Sequence, residues 1–252
     1  MVEAEKLVKF TDALLHVDVR DGCPNGLQVE GNPSVQKLVT GVSASRMLLE
    51  EAIAAGADMI LVHHGYFWRH DPLVVTGRHY QKLKLLLTHE VSLLAYHLPL
   101  DYHDEYGNNA QLARLMSWQV AGRMASNAGI AIGMHGYLSE PQTVSAFAAA
   151  LSNTLKHEPL VITNDTQRMI KTLAWCTGAA GDDIHYAIKQ GVDCFVTGEI
   201  SERIVHVARE ADIVVVAAGH HATERYGVMA LGDYLAHRFG ISHQYIEVSS
   251  PV

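Results

Sequence analysis

Two pairs of adjacent histidines, His63-His64 and His220-His221, stand out among the 16 histidines of this 252-residue chain. Each pair directly follows an apolar run of strand length, and a third such run ends at His97. Carboxylates follow closely, because Asp101 lies four residues after His97 and Glu224 lies four residues after His220. Imidazoles and carboxylates without thiolates suit Zn, Fe, Mn, Co or Ni better than an iron–sulfur cluster or a calcium ion.

The number of candidate ligands indicates two metal ions. The six candidates are His63, His64, His97, Asp101, His220 and Glu224. They exceed the four ligands of one tetrahedral zinc, whereas two metals about 3.5–4 Å apart would use them all. Adjacent residues of a strand point to opposite sides, so His63 and His64 at a strand end are predicted to contact different ions. If His220 and Glu224 share a helix, their spacing places them on one face.

Four further features each allow more than one interpretation. The loop Gly178–Gly181 could hold a phosphate on its backbone amides, or it could be a tight turn. Glu199 stands at another strand end, where it could support a metal ligand, act as a general base, or simply begin a helix. The aromatic segment Tyr66–Trp68 could stack on a base or pack between subunits. His97, taken alone, could also be a core histidine bonded to the backbone.

Strands that alternate with helices are predicted to position these side chains. Val35–Val42, Met47–Ala54 and Ala57–His63 read as strand, helix and strand, which is the pattern of a parallel βαβ unit. In open α/β sheets, ligands bind beyond the carboxyl ends of the strands, where the histidines fall. Pro99 is predicted to end regular structure before Asp101, and Thr223–Phe239 is predicted to be a long helix.

Composition excludes several classes of function. The net charge is -8 and no basic run appears, so an extended nucleic-acid partner is not expected. No apolar run approaches the roughly 20 residues that span a membrane, and the N-terminus lacks a signal-peptide pattern, so we expect a cytoplasmic protein without a membrane partner. The three cysteines are scattered and predict neither disulfides nor a thiolate site.

Several motifs together resemble the Nif-three-like family, and within it the bacterial YbgI group, often named GTP cyclohydrolase 1 type 2 homologues. The motifs lie in Asn25–Gly31, Val62–Trp68, His97–Asp101, Gly107–Leu112, Thr197–Glu199 and Gly219–Arg225. The resemblance runs almost from end to end. It implies an α/β fold of two interlinked three-layer α/β/α domains with mixed, mostly parallel sheets. The irregular pattern between Trp118 and Asn127 predicts a domain boundary there. We expect one domain at residues 1–125 with 212–252, carrying most of the metal ligands, and a second at residues 126–211.

The resemblance further implies a toroidal homohexamer and a dinuclear metal centre. Its metal ligands correspond to His63, His64, Asp101, His220 and Glu224, with Glu224 as the bridging carboxylate. His97 matches the motif and is expected to be a ligand or the partner of one.

The reaction is less well defined than the site. We expect a metal-dependent hydrolase that uses an activated water on a nucleotide-like or other small polar substrate, with Glu199 or a neighbouring histidine moving protons. The alternative is a non-enzymatic metal-binding or regulatory scaffold that stores metal, delivers it or recruits a partner. The name GTP cyclohydrolase does not by itself establish an activity.

Overall fold

The computed structural model describes residues 1–252 and divides into two compact units. The first unit comprises Met1–Tyr106 and Gly227–Ser249, and the second comprises Gly107–Tyr226 and Ser250–Val252. None of the helices has the length and apolar character that crossing a bilayer requires.

The first unit is built on parallel strands joined by helices. Its strands are β1 (Val2–Glu3), β2 (Gly26–Val29), β3 (Ser34–Val35), β4 (Lys37–Ser43), β5 (Met59–His64), β6 (Ser92–Ala95) and β13 (Ser242–Tyr245). Its helices are α1 (Ala4–Leu15), α2 (Arg46–Ala54), α3 (Gly77–Thr88), α4 (Leu98–Tyr102) and the later part of α9 (His220–Phe239). The main sheet has the order β13-β4-β5-β6-β2, with only β2 antiparallel to its neighbour.

The central strand β5 is buried on both faces. Ile60 and Val62 belong to one hydrophobic cluster, whereas Met59 and Leu61 belong to another. Alternate residues of a strand face opposite sides, so a strand covered on both faces needs a continuous apolar run. This burial explains the run that precedes the first histidine pair, and it makes β5 a rigid support for that pair.

The second unit contains one six-stranded mixed sheet. Its strands are β7 (Gln119–Met124), β8 (Gly133–Thr143), β9 (Leu160–Ile162), β10 (Met169–Cys176), β11 (Cys194–Thr197) and β12 (Val214–Ala217). Its helices are α5 (Asn108–Leu115), α6 (Val144–Leu155), α7 (Ile184–Gln190), α8 (Glu202–Glu210) and the beginning of α9. In the order β7-β8-β10-β11-β12-β9, the strands β10, β11 and β12 are parallel. The predicted α/β class with mixed, mostly parallel sheets is confirmed.

Two local predictions were wrong. Pro99 does not end regular structure, because it occupies the first turn of α4, where a missing N–H costs nothing. The segment read as irregular, Trp118–Asn127, contains the strand β7, which pairs antiparallel with β8. Its edge position explains the weak signal, because its Gln119, Val120 and Ala121 are exposed.

Candidate metal centre

The first cluster of candidate ligands lies in the first unit, at the carboxyl ends of β5 and β6. It consists of His63 and His64 on β5, His97 after β6, and Asp101 on α4. The ring centroid of His63 lies 4.6 Å from that of His64 and 5.0 Å from that of His97. One nitrogen from each of the three imidazoles falls within 4.8 Å of the others, which is close enough for a shared metal environment.

His63 is held in one orientation by the backbone. Its Nδ1 lies 2.9 Å from the carbonyl oxygen of Tyr96. Because a carbonyl oxygen only accepts, Nδ1 must carry the proton, and Nε2 is then the nitrogen with a lone pair. That Nε2 lies 3.6 Å from Oδ1 of Asp101, and both side chains are almost fully buried. A buried imidazole lone pair facing a buried carboxylate is the arrangement that a cation would complete.

His64 is fixed from the opposite side of β5. Its Nδ1 lies 2.9 Å from the hydroxyl of Ser43 at the end of β4, whereas His63 is bonded to the segment that follows β6. Since β5 lies between these two strands, the adjacent imidazoles are anchored to different neighbours. The two imidazoles therefore have separate anchors, although their ring centroids are only 4.6 Å apart.

His97 is paired with a carboxylate that the sequence reasoning missed. Its Nδ1 lies 2.8 Å from Oδ1 of Asp21, and the Asp21 side chain is only 3% exposed. Burial acts to raise the pKa of Asp21, but hydrogen bonds from His97, Asn25 and the amide of Leu98 hold that pKa well below its usual range. Asp21 therefore remains an anion and fixes the ring of His97.

The sequence around Asp21 carries only a turn signal, in Asp21-Gly-Cys-Pro-Asn-Gly26. The structure shows that the turn serves the site, because Asp21 also accepts hydrogen bonds from the amides of Gly22 and Cys23. Asn25 in turn accepts a hydrogen bond from the amide of His97 at 2.8 Å. No spacing rule connects residues 21 and 97, so pattern reasoning had no means to find this pair.

The second cluster lies in the second unit and consists of His220, Glu224 and Glu199. His220 is the first residue of α9, and Glu224 lies one turn later on the same helix. The Nε2 of His220 is 3.0 Å from Oε2 of Glu224, and its Nδ1 is 3.5 Å from Oε2 of Glu199. Both ring nitrogens of His220 thus face carboxylates. The predicted alignment of His220 and Glu224 on one helical face is confirmed.

The Gly178 loop holds this second cluster in place. Its carbonyl oxygen accepts hydrogen bonds from the amides of Gly198 and Glu199, at 2.9 and 3.1 Å. Its amide donates to the hydroxyl of Thr223, next to Glu224. The loop suspected of holding a phosphate therefore packs around the carboxylates, with Gly178 at a φ of +71°.

The aromatic segment divides between two roles. Trp68 lies beside the first cluster, with its ring centroid 5.0 Å from that of His97 and 6.1 Å from that of His64. Tyr66 is buried, and its hydroxyl donates to the carbonyl of His79. Phe67 is partly exposed. Only Trp68 therefore contributes a wall to the candidate site within this unit.

The chain is similar to known proteins over almost its whole length. The model of the family described as Duf34/NIF3 (NGG1p interacting factor 3) matches residues 2–251. A Pseudomonas aeruginosa protein named GTP cyclohydrolase 1 type 2 homolog is 51% identical over 247 residues, covering 98% of this chain and 96% of that protein. A Yersinia pestis protein of the same name is 46% identical over 232 residues, covering 92% of each.

A solved structure shows the same similarity in three dimensions. It is described as protein ybgI of unknown function, is 40% identical, and superposes with a TM-score of 0.95 over 100% of both chains. The similarity in sequence and in fold therefore extends over both units.

Proposed function

The chain belongs to the Duf34/NIF3 family, and we propose that it is a metal-dependent hydrolase with a dinuclear centre. The proposed ligands are His63, His64, Asp101, His220 and Glu224, with Glu224 as the bridging carboxylate. The observation that carries this proposal is a repeated pairing of imidazole with buried carboxylate. It occurs between His63 and Asp101 at 3.6 Å and between His220 and Glu224 at 3.0 Å.

The chemistry of these side chains fits divalent transition metals. The donors are imidazole nitrogens and carboxylate oxygens, and all three cysteines lie outside both clusters. Such a set suits Zn, Fe, Mn, Co or Ni. A cation also neutralises buried carboxylates, which are costly to keep charged without a partner. When bound, two such ions would supply Lewis acidity and a nucleophilic water near neutral pH.

The remaining polar side chains have distinct tasks in this proposal. Glu199 is about half exposed and faces Nδ1 of His220, so it can orient that imidazole and exchange a proton with a bound substrate. Asp21 holds the ring of His97 through Nδ1, which leaves Nε2 for a metal or for a proton. Trp68 packs beside the rings of His97 and His64 and limits the shape of a substrate on that side.

The substrate class is supported by the names of the relatives. Proteins that are 40–51% identical to this chain are named GTP cyclohydrolase 1 type 2 homolog. We therefore propose a nucleotide-like or other small polar substrate. We also propose that the protein assembles as a toroidal homohexamer, which light scattering coupled to gel filtration would test by mass.

Metal analysis followed by an activity screen tests the proposed function. Freshly purified protein is expected to contain about two divalent ions per chain, measured by inductively coupled plasma mass spectrometry. Protein reloaded with that metal is then incubated with purine nucleotides and small phosphoesters, and products are followed by chromatography. Turnover that is lost in Glu224→Gln supports the hydrolase. Stoichiometric metal without any turnover would instead favour the non-enzymatic scaffold.

A further inference from the structure

A cavity lies in the first unit, in a region that contains none of the candidate metal ligands. It has a volume of about 360 Å³ and lies where α2 and α3 pack together. One wall is formed by Arg46 at the start of α2. The other is formed chiefly by residues of α3 and by its C-cap: Tyr80, Gln81, Lys84, Thr88 and His89. Ligand sites for small molecules begin at about 300 Å³, so one compact ligand fits.

The cavity is positively charged in a chain that is negative overall. Its walls contain the cationic side chains of Arg46 and Lys84 and no aspartate or glutamate, although Arg46 also pairs with Glu50 on α2. Every charged side chain of α3 is basic, although the chain has 27 acidic and only 19 basic residues. The region therefore attracts an anion.

The basic groups are arranged around an exposed aromatic ring. Tyr80 is 51% exposed, and Nζ of Lys84 lies 5.8 Å from the centre of its ring. Arg46 is oriented across the cavity, because one guanidinium nitrogen donates to Oε1 of Gln81 at 3.2 Å and another to Glu50 on α2 at 2.7 Å. A ligand with both a planar ring and an anionic group would use both features. Its ring would stack on Tyr80, and its anionic group would contact Lys84 and Arg46.

His89 adds a hydrogen-bonding group at the edge of the cavity. Its Nδ1 lies 2.9 Å from the carbonyl oxygen of Leu85 and therefore carries the proton. Nε2 is the remaining ring nitrogen and is an acceptor when the ring carries only that proton. An acceptor beside an aromatic platform suits the amino or imino group of a nucleobase.

We propose that this cavity is a binding site for a mononucleotide, with its base on Tyr80 and its phosphate on Lys84 and Arg46. An extended polyanion is a poorer fit, because its affinity depends on a long track of cations, which a chain of net charge -8 lacks. The site goes beyond the proposed hydrolase, since it uses no metal ligand and neither of the two clusters.

Binding is measured by calorimetry with AMP and GMP, on both chelator-treated and metal-loaded protein. Adenosine, guanosine and inorganic phosphate serve as partial ligands. Both nucleotides are expected to bind to both forms of the protein, about tenfold more tightly than the nucleosides or phosphate alone, because stacking and charge act together. Glu224→Gln is expected to leave nucleotide binding at this cavity unchanged. A failure of the nucleotide-site proposal can therefore be distinguished from a failure of the hydrolase proposal.

The site is located by photolabelling with 8-azido-AMP and by substitutions on α3. Labelled peptides are expected to cover residues 46–54 or 77–89. Lys84→Glu and Tyr80→Ala should each weaken AMP binding about tenfold, whereas Lys84→Arg and Tyr80→Phe should retain it. Lys171→Glu and Tyr137→Ala are matched controls on exposed side chains of the second unit. Melting temperatures of all variants check that each remains folded.

Three outcomes would overturn the proposal. The first is absence of nucleotide binding to either form of the protein. The second is labelling confined to peptides outside α2 and α3, or an unchanged affinity in folded Lys84→Glu. The third is binding of an acidic peptide or a single-stranded RNA oligonucleotide at these residues without binding of mononucleotides, which would assign the cavity to a macromolecular partner.

Discussion

Gly178 faces the carboxylate of Glu224 so closely that a β-carbon at residue 178 would lie 2.0 Å from Oε1 and 2.9 Å from Cδ. The same glycine has a φ of +71°, a conformation that other residues adopt only with strain. Two independent requirements therefore demand glycine here. The absence of a side chain at residue 178 leaves the space that Glu224 occupies.

Gly178→Ala is expected to remove metal binding as well as stability, because the methyl group must displace the Glu224 carboxylate. Gly191→Ala is a matched control, since Gly191 has the same φ of +71° but no atoms within 4 Å of its β-carbon position. Both variants should lose about 1 kcal/mol of stability from backbone strain. Only Gly178→Ala should lose metal, measured by elemental analysis. Equal metal content in the two variants would contradict a ligand role for Glu224.

Glu224→Gln tests the carboxylate directly with almost no change in shape. Loss of the charge should reduce bound metal from about two ions per chain, because a neutral amide is a far weaker ligand. The matched control is Glu202→Gln on α8, which removes a glutamate that also lies four residues from a histidine. Glu202 and His206 are 3.8 Å apart but strongly exposed. If Glu224→Gln kept its full metal content, the proposed centre would be wrong.

Asp21→Asn tests how the first cluster is oriented. The substitution removes the negative charge that holds Nδ1 of His97 at 2.8 Å, so the ring should lose its fixed orientation. Carboxylates that orient metal-binding histidines typically account for about 10–100-fold in metal affinity or activity. Competition with a chromogenic chelator measures that affinity. Asp18→Asn, at an exposed aspartate of the same segment, should leave it unchanged. An unaltered affinity in Asp21→Asn would place His97 outside the metal environment.

The elements that carry the candidate ligands were predictable because burial imposes strong patterns. The residues of β5 before its histidines are all apolar since both faces of the strand are covered, and the strand ends at His64, one residue after the predicted end at His63. α9 was predicted from Thr223, but it begins at His220, so its histidine pair is helical rather than part of a strand-end loop. This difference brings His220 and Glu224 into register, one turn apart.

Contacts between distant segments could not be predicted in the same way. Asp21 and His97 are separated by 76 positions, and neither residue carries a signal for the other. The approach of Gly178 to Glu224 likewise depends on the close packing of the Gly178 loop against α9. Local sequence reports propensity and burial, whereas such pairs arise only when the sheet is assembled.

In each unit, an aspartate just before a parallel strand accepts hydrogen bonds from two backbone amides of the neighbouring segment. Asp58 precedes β5 and accepts hydrogen bonds through Oδ2 from the amides of Gln36 and Lys37. Asp193 precedes β11 and accepts them through Oδ2 from the amides of Lys171 and Thr172. Both follow a glycine by two residues, in Gly56-Ala-Asp58 and Gly191-Val-Asp193.

Asp193 should make the stability of the protein depend on pH in the acid range. Burial acts to raise its pKa, but hydrogen bonds from Thr172 and Lys171 prevail and lower it. A carboxyl whose pKa is lower in the folded than in the unfolded state stabilises the fold above the unfolded value of about 4. That contribution is lost as the pH falls through the folded-state pKa.

Asp193→Asn should therefore lower the free energy of unfolding near pH 7 by about 1 kcal/mol, a modest figure because the carboxylate is partly exposed. The difference from the unsubstituted protein should shrink as the pH falls from about 4 through the folded-state pKa, since below that pKa both proteins have an uncharged side chain at this position. Urea denaturation at a series of pH values measures this difference in the free energy of unfolding, with Asp18→Asn as the exposed control. A difference that stayed constant into acid would show that the charge of Asp193 is not the stabilising feature, and that the geometry of its hydrogen bonds alone supports β11.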